Sequence, residues 1–198
     1  MHKNTKRIFL FLFGIVALLQ VKSQERDMAK ERLYIQKLEA INPTLVDLFI
    51  KATIALDSGD MELSDKLFTE VYTKAPNFDI AIRRLGGLKV TEGKFEEGLE
   101  LCEKAVNLDS TYENLITFAQ CLIAAANSKE IANESYLNKA KTILGFAYKM
   151  PNADDFEVTA FLAQIYIQSN QYEDFKTATQ SLMKYHPDKM VSHYYQAQ

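Results

Sequence analysis

Apolar residues recur at intervals of three and four along the chain from residue 25 onward, and no segment keeps the alternating pattern of a β-strand. Polar, Pro-containing or Gly-containing breaks interrupt this pattern every 12 to 16 residues or so, which is a usual helix length. The pattern predicts an all-α chain of about nine helices joined by short turns. The predicted breaks are residues 42–43, 57–60, 75–77, 92–94, 151–152, 169–170 and 186–187.

The breaks are themselves periodic: Gly59 and Gly93 lie 34 residues apart, and Pro43 and Pro76 lie 33 apart. A period near 34 indicates a stack of helical hairpins. Small residues return at matching sites, where two helices could approach closely, and bulky residues would fill the space between them. The matched sites are Ala52 with Gly86, Ser64 with Gly98 and Val71 with Ala105. The predicted filling residues are Leu67, Phe68, Leu85, Phe95, Leu101, Phe118, Leu122, Ile143, Leu144, Leu162, Tyr166 and Leu182.

These positions resemble the tetratricopeptide repeat family, whose unit has Leu-Gly, small residues and Pro at fixed places. The closest copy is 79–112, although Lys89 and Cys102 stand where the family has Tyr and Phe. The resemblance implies a right-handed superhelix, or solenoid, of about four TPR-like hairpins over residues 45–189. The units are 45–78, 79–112, 113–152 and 156–189, the third with about six extra residues.

The chain begins with three basic residues, Lys3, Lys6 and Arg7, followed by an apolar run over 8–19 and a polar stretch. This order is typical of a signal peptide, and the run is shorter than the roughly 17 to 25 residues of a membrane-spanning helix. We therefore expect residues 1–23 to be a signal peptide cleaved near Ser23. The expected product is exported, periplasmic or secreted, with no stable membrane span after cleavage.

Two segments flank the predicted repeats. Residues 24–44 are expected to form an amphipathic helix that caps the stack, with Leu33, Ile35 and Leu38 turned inward. Residues 190–198 are expected to begin a further, partial helix.

The composition narrows the classes of partner. The chain carries 23 basic and 26 acidic residues, and removal of residues 1–23 leaves 19 basic ones and a net charge of about −7. With no run of Lys and Arg, such a surface predicts no binding to nucleic acid. The two cysteines, Cys102 and Cys121, could form a bridge if their helices are neighbours, but buried free thiols are the favoured interpretation.

No catalytic, cofactor-binding or metal-binding constellation is evident in the sequence. The three histidines, His2, His186 and His193, lie outside the central repeats. The stretch from Gly87 to Lys94 resembles a phosphate-binding loop. However, five residues separate Gly87 from Gly93 where the motif has four, and Phe95 replaces the hydroxyl residue that would hold magnesium. We therefore expect no enzyme activity, no cofactor and no metal.

The family resemblance also implies a groove lined by the first helix of each repeat. Arg83 is the only basic residue at its inner positions, so a clamp for a C-terminal carboxylate is not expected, whereas an apolar peptide or protein ligand would fit. Packing against the superhelix or the N-terminal helix is the alternative role for these residues. The predicted groove residues are Phe49, Thr53, Leu56, Arg83, Gly87, Val90, Cys121, Gln164 and Ile167.

The function expected from these features is that of a protein–protein interaction scaffold in the cell envelope or extracellular space, binding a protein or peptide on the concave face. The alternative is a regulatory or sensor repeat region that controls an effector domain beyond residue 198 or on a partner chain. The pattern leaves the oligomeric state open.

Overall fold

Nine α-helices follow one another in the computed structural model, which describes residues 26–128 and 134–189, and neither range contains a β-strand. This confirms the all-α prediction. A 3₁₀ turn over Pro43–Leu45 separates the first two helices. The helices are α1 (Met28–Ile41), α2 (Val46–Asp57), α3 (Met61–Lys74), α4 (Asp79–Thr91), α5 (Phe95–Leu108), α6 (Tyr112–Ala126), α7 (Glu134–Ala147), α8 (Asp155–Gln168) and α9 (Tyr172–Tyr185).

The helices from α2 onward pack as four consecutive pairs: α2 with α3, α4 with α5, α6 with α7 and α8 with α9. Each pair also packs against the next, and the first helices of successive pairs touch, α4 against α6 and α6 against α8. The architecture is therefore a repeat-like succession of helical pairs.

Three of the pairs are closed by the same turn. The second residue after the first helix of the pair has a left-handed backbone in each case, with φ of 79° at Gly59, 83° at Gly93 and 58° at Asn170. Gly adopts this conformation without steric cost, and Asn tolerates it better than most other residues. In each turn a backbone N–H donates to the carbonyl oxygen five residues earlier: Asp60 to Ala55 O at 2.9 Å, Lys94 to Lys89 O at 2.8 Å and Gln171 to Tyr166 O at 2.8 Å.

The apolar interior follows the predicted spacing. All twelve of the predicted filling residues are buried or half-buried, which confirms their assignment to the core. The matched small residues face the partner helix of their pair: a Cβ on Gly86 would lie 2.9 Å from the backbone oxygen of Gly98, and Ser64 donates from Oγ to Ala52 O at 3.1 Å. Close approach of the paired helices thus depends on these positions.

Helix α1 differs from the prediction in one side chain. Leu38 is fully buried and Ile35 half-buried, but Leu33 is 62% exposed, so its predicted inward orientation is wrong. The reason is helical geometry, since five residues of helix place Leu33 about 140° around the axis from Leu38. The predicted signal peptide and residues 190–198 lie outside the described residues.

Candidate functional site

The nine residues predicted to line a groove lie on α2, α4, α6 and α8, the first helix of each pair. The structure therefore brings them to equivalent helices, but their accessibility differs. Four of them are half-exposed, namely Leu56, Arg83, Gly87 and Ile167. The other five are buried, namely Phe49, Thr53, Val90, Cys121 and Gln164.

Phe49 and Val90 serve packing rather than a solvent-facing surface. The Phe49 ring is 1% exposed and lies edge-on to the rings of Phe68 and Phe78, with centroids 5.9 and 5.2 Å away. Val90 presses on α5, where a Cβ on Gly98 would lie 2.6 Å from its Cγ2. A ligand cannot reach these two side chains without separating the helices.

Helix α1 lies across three of these first helices, α2, α4 and α6. At its amino-terminal end, Arg26 donates from Nε to Asp57 Oδ2 on α2 at 2.5 Å. One turn further on, Lys30 forms an ion pair with Glu113 on α6, with Nζ and Oε1 2.5 Å apart. The hydrogen bond to Glu113 raises the pKa of Lys30 against the opposing effect of burial. Long cationic side chains therefore extend the contacts of α1 beyond the first helical pair, as far as α6.

The carboxyl-terminal half of α1 meets a second acidic position. Lys37 Nζ lies 2.8 Å from Asp79 Oδ1 at the start of α4 and 2.7 Å from Asp109 Oδ2 just after α5. Asp79 is itself buried, and Asn114 of α6 holds it by donating from Nδ2 to Asp79 Oδ2 at 2.8 Å and to Asp109 O at 2.7 Å. The carboxylate is thus oriented by α6 and neutralised by α1.

A buried arginine that was not among the predicted site residues fixes the first turn of α1. Arg84 donates from Nη1 to Thr53 Oγ1 at 2.6 Å, forms an ion pair with Glu31 of α1, and lies 4.9 Å from the centroid of the Phe49 ring. Burial lowers its pKa to about 10, although Glu31 opposes the change. The signal in the sequence was the adjacent pair Arg83-Arg84, since two successive side chains on a helix point about 100° apart and take different surroundings.

A cleft of about 170 Å³ separates α1 from α4 and α6. Arg83 crosses it, with its guanidinium carbon 5.8 Å from the centroid of the Tyr34 ring. Arg83 Nε and Asn114 Oδ1 are buried and have no hydrogen-bond partner among the described residues. The cleft is smaller than the roughly 300 Å³ at which small-molecule sites begin, so it suits a single polar side chain. Its lining comprises Leu33, Tyr34, Lys37, Asp79, Ile80, Arg83, Thr111, Glu113 and Asn114.

No family model matches the chain, and no curated protein matches it. The feature that bears on function is the geometry of α1 on the first-helix face. That face, comprising the surfaces of α2, α4 and α6 in contact with α1, carries fixed carboxylates, a buried arginine and a small polar cleft. Such an arrangement can recognise a helix by charge and shape.

The described residues, 26–128 and 134–189, also bear on membrane-spanning and metal sites. Neither range contains a helix with the length and apolar character that a membrane span requires. Within the same ranges, no three side chains of His, Cys, Asp or Glu are grouped so that they could hold a metal ion.

Proposed function

We propose that this chain is an exported interaction scaffold of the tetratricopeptide type, a solenoid that binds a protein partner on its first-helix face and has no catalytic activity. The observation that carries the proposal is the placement of α1. An amphipathic helix already lies on this face, held by ion pairs to α2, α4 and α6. A surface that accommodates one such helix has the features needed to accommodate another.

The repeat character of the chain supports the family assignment. The turns at Gly59, Gly93 and Asn170 share backbone conformation and hydrogen bonding, as expected when one helical hairpin is repeated. The first helices of successive pairs also touch one another. In a superhelix of such hairpins these helices form the inner wall, the usual site of ligand binding in stacked helical repeats.

The charges on the face define the chemistry of the partner. Cationic side chains on α1 or just before it form ion pairs with four carboxylates, namely those of Asp57, Asp79, Asp109 and Glu113. The partner that fits is therefore a protein segment that forms a basic amphipathic helix, with cations spaced as in α1 and an apolar residue in the place of Leu38. Electrostatic complementarity of this kind gives specificity and a fast association rate that falls with added salt.

The experiment uses a fluorescent peptide of residues 26–41 as the probe. In the full chain, the substitutions Arg26→Glu, Lys30→Glu and Lys37→Glu together release α1 from the face by placing like charges together. Anisotropy titration is expected to show that this variant binds the peptide at least about tenfold more tightly than the wild type, a difference of about 1.4 kcal/mol. Binding should weaken as salt is raised.

Two controls make the result specific. A chain with Lys66→Glu, Lys149→Glu and Lys176→Glu carries the same charge change on or beside second helices and should behave like the wild type. A peptide with the three α1 reversals should not bind the released variant. The proposal fails if the variant with α1 released remains helical by circular dichroism but does not bind the basic peptide. It also fails if this variant binds the basic and the charge-reversed peptide equally.

The same placement of α1 favours the alternative function of a regulatory or sensor region. A partner that takes over the acidic face must displace α1, so binding would be coupled to release of this segment. Hydrogen exchange of the amides in residues 28–41 distinguishes the two functions. Loss of their protection when the peptide binds the wild-type chain supports regulation, whereas binding with unchanged protection would show that the peptide does not take over the acidic face and would contradict this alternative.

A further inference from the structure

The two cysteines of the chain lie in contact inside the core. Cys102 of α5 and Cys121 of α6 are 1% and 4% exposed, and their Sγ atoms are 3.5 Å apart. A disulfide bond is about 2.0 Å long, so the two sulfur atoms would have to approach by only about 1.5 Å.

The surroundings hold Cys102 against its neighbour. Gly86 of α4 lies behind it, so close that a Cβ at that position would be 2.7 Å from the Cys102 Sγ. The sulfur therefore has α4 on one side and Cys121 on the other. Since the chain contains no other cysteine, no competing intramolecular pairing exists.

We propose that Cys102 and Cys121 form a disulfide in an oxidising environment, joining the second helix of one pair covalently to the first helix of the next. The two S–H bonds break and one S–S bond forms. Two electrons reduce the disulfide of the oxidant to two thiols, which take up the two protons. The oxidant is a low-molecular-weight disulfide or a thiol–disulfide exchange protein, which forms a mixed disulfide with one cysteine before the second displaces it.

The reaction takes place before or during closure of the core. The attacking species is a thiolate, and both the contact with Cys102 and burial raise the pKa of the Cys121 thiol in the folded chain. The folded, reduced pair is therefore slow to react. Folding in the presence of a disulfide, with α5 and α6 still separated, gives the oxidant access to both sulfur atoms.

The bridge would stabilise the fold at a defined junction. It spans 19 residues and joins α5 to α6, so it ties two successive helical pairs together. Closing a loop of this length in the unfolded chain is expected to raise Tm by roughly 6–12 °C for a protein of this size.

The test is refolding of the reduced, denatured full chain in a mixture of oxidised and reduced glutathione, with dithiothreitol as the parallel condition. After acid quenching, the chain is unfolded, alkylated and weighed by mass spectrometry. The expected product of oxidative refolding is a monomer two mass units lighter, without alkylation, whose digest contains a peptide linking residues 102 and 121. Its circular dichroism should match that of the reduced chain, and its Tm should be higher.

A Cys102→Ala/Cys121→Ala variant separates the bridge from side-chain packing, because its Tm should be the same in both redox conditions. The proposal is overturned if the oxidatively refolded wild type keeps two alkylatable thiols, or yields only glutathione adducts or intermolecular dimers. It is also overturned if the bridged monomer is less helical or melts below the reduced chain. None of these results depends on peptide binding to the first-helix face.

Discussion

Gly86 of α4 and Gly98 of α5 face each other so closely that each occupies the space where a Cβ of the other would lie. A Cβ on Gly98 would be 2.7 Å from the backbone oxygen of Gly86, and one on Gly86 would be 2.9 Å from that of Gly98. Backbone atoms held in two helices cannot move aside as a flexible side chain can. The contact therefore sets the spacing of this pair.

Substitution of Gly98 by Ala should lower the free energy of unfolding by about 1–3 kcal/mol, since the added methyl group forces α4 and α5 apart. Urea denaturation followed by circular dichroism measures the change. Gly145→Ala is the matched control, because Gly145 lies inside α7 and a Cβ there would meet nothing within 4 Å. It should raise stability by about 0.5–1 kcal/mol through helix propensity alone. Equal effects at the two positions would contradict the close-contact explanation.

Local features of the chain were predictable because they depend on neighbours in sequence. The helices follow from apolar periodicity. The turns at Gly59 and Gly93 follow from the two glycines, which adopt the left-handed backbone of such a turn without steric cost. Gly86 and Gly98 stood out because small residues recur at their sites 34 positions earlier. The signal thus comes from neighbouring residues or from the 34-residue repeat, both of which can be read along the chain.

The candidate site was less predictable because it depends on distances through space. No pattern within α1 indicates that Lys30 reaches α6 or that Lys37 reaches α4. Phe49 occupies an expected inner position of its repeat, yet the guanidinium of Arg84 and two aromatic rings cover it. Contacts between side chains far apart in sequence decided these outcomes.

The Arg84–Glu31 ion pair should show strong energetic coupling. Glu31→Gln leaves the buried guanidinium without its carboxylate and is expected to cost about 3 kcal/mol of unfolding free energy. Arg84→Met keeps much of the packing against Phe49 and should cost less, and the double variant should resemble Arg84→Met alone. A double-mutant cycle by urea denaturation gives the coupling energy.

The exposed pair Glu70–Lys74 supplies the comparison for this cycle, since it links residues one turn apart on α3 at 2.6 Å. Its coupling energy should be below about 0.5 kcal/mol. If the two cycles give the same small coupling, Arg84 does not act as the buried anchor of α1.

The last prediction concerns Glu157, which accepts a hydrogen bond from the Tyr112 hydroxyl, with the two oxygens 2.7 Å apart. Burial raises the pKa of the Glu157 carboxyl above its ordinary value of 4.5, against the lowering effect of that hydrogen bond. Between the unfolded and the folded pKa the folded chain binds more protons than the unfolded chain. The Glu157 contribution to stability is therefore lost as pH rises through this window.

Glu157→Gln keeps an oxygen that accepts from Tyr112 and removes the charge, so the variant should gain stability over the wild type as pH rises from 4 to 7. Urea denaturation of both chains across this range measures the difference in their unfolding free energies. Other titrating groups, such as Glu113, contribute equally to both chains, so their contributions cancel in this difference. Tyr112→Phe removes the hydrogen bond that favours the charged carboxylate, so it should make the wild-type loss steeper. If the stability gained by Glu157→Gln stays constant or shrinks as pH rises, burial does not disfavour the charged carboxylate of Glu157 in the folded chain.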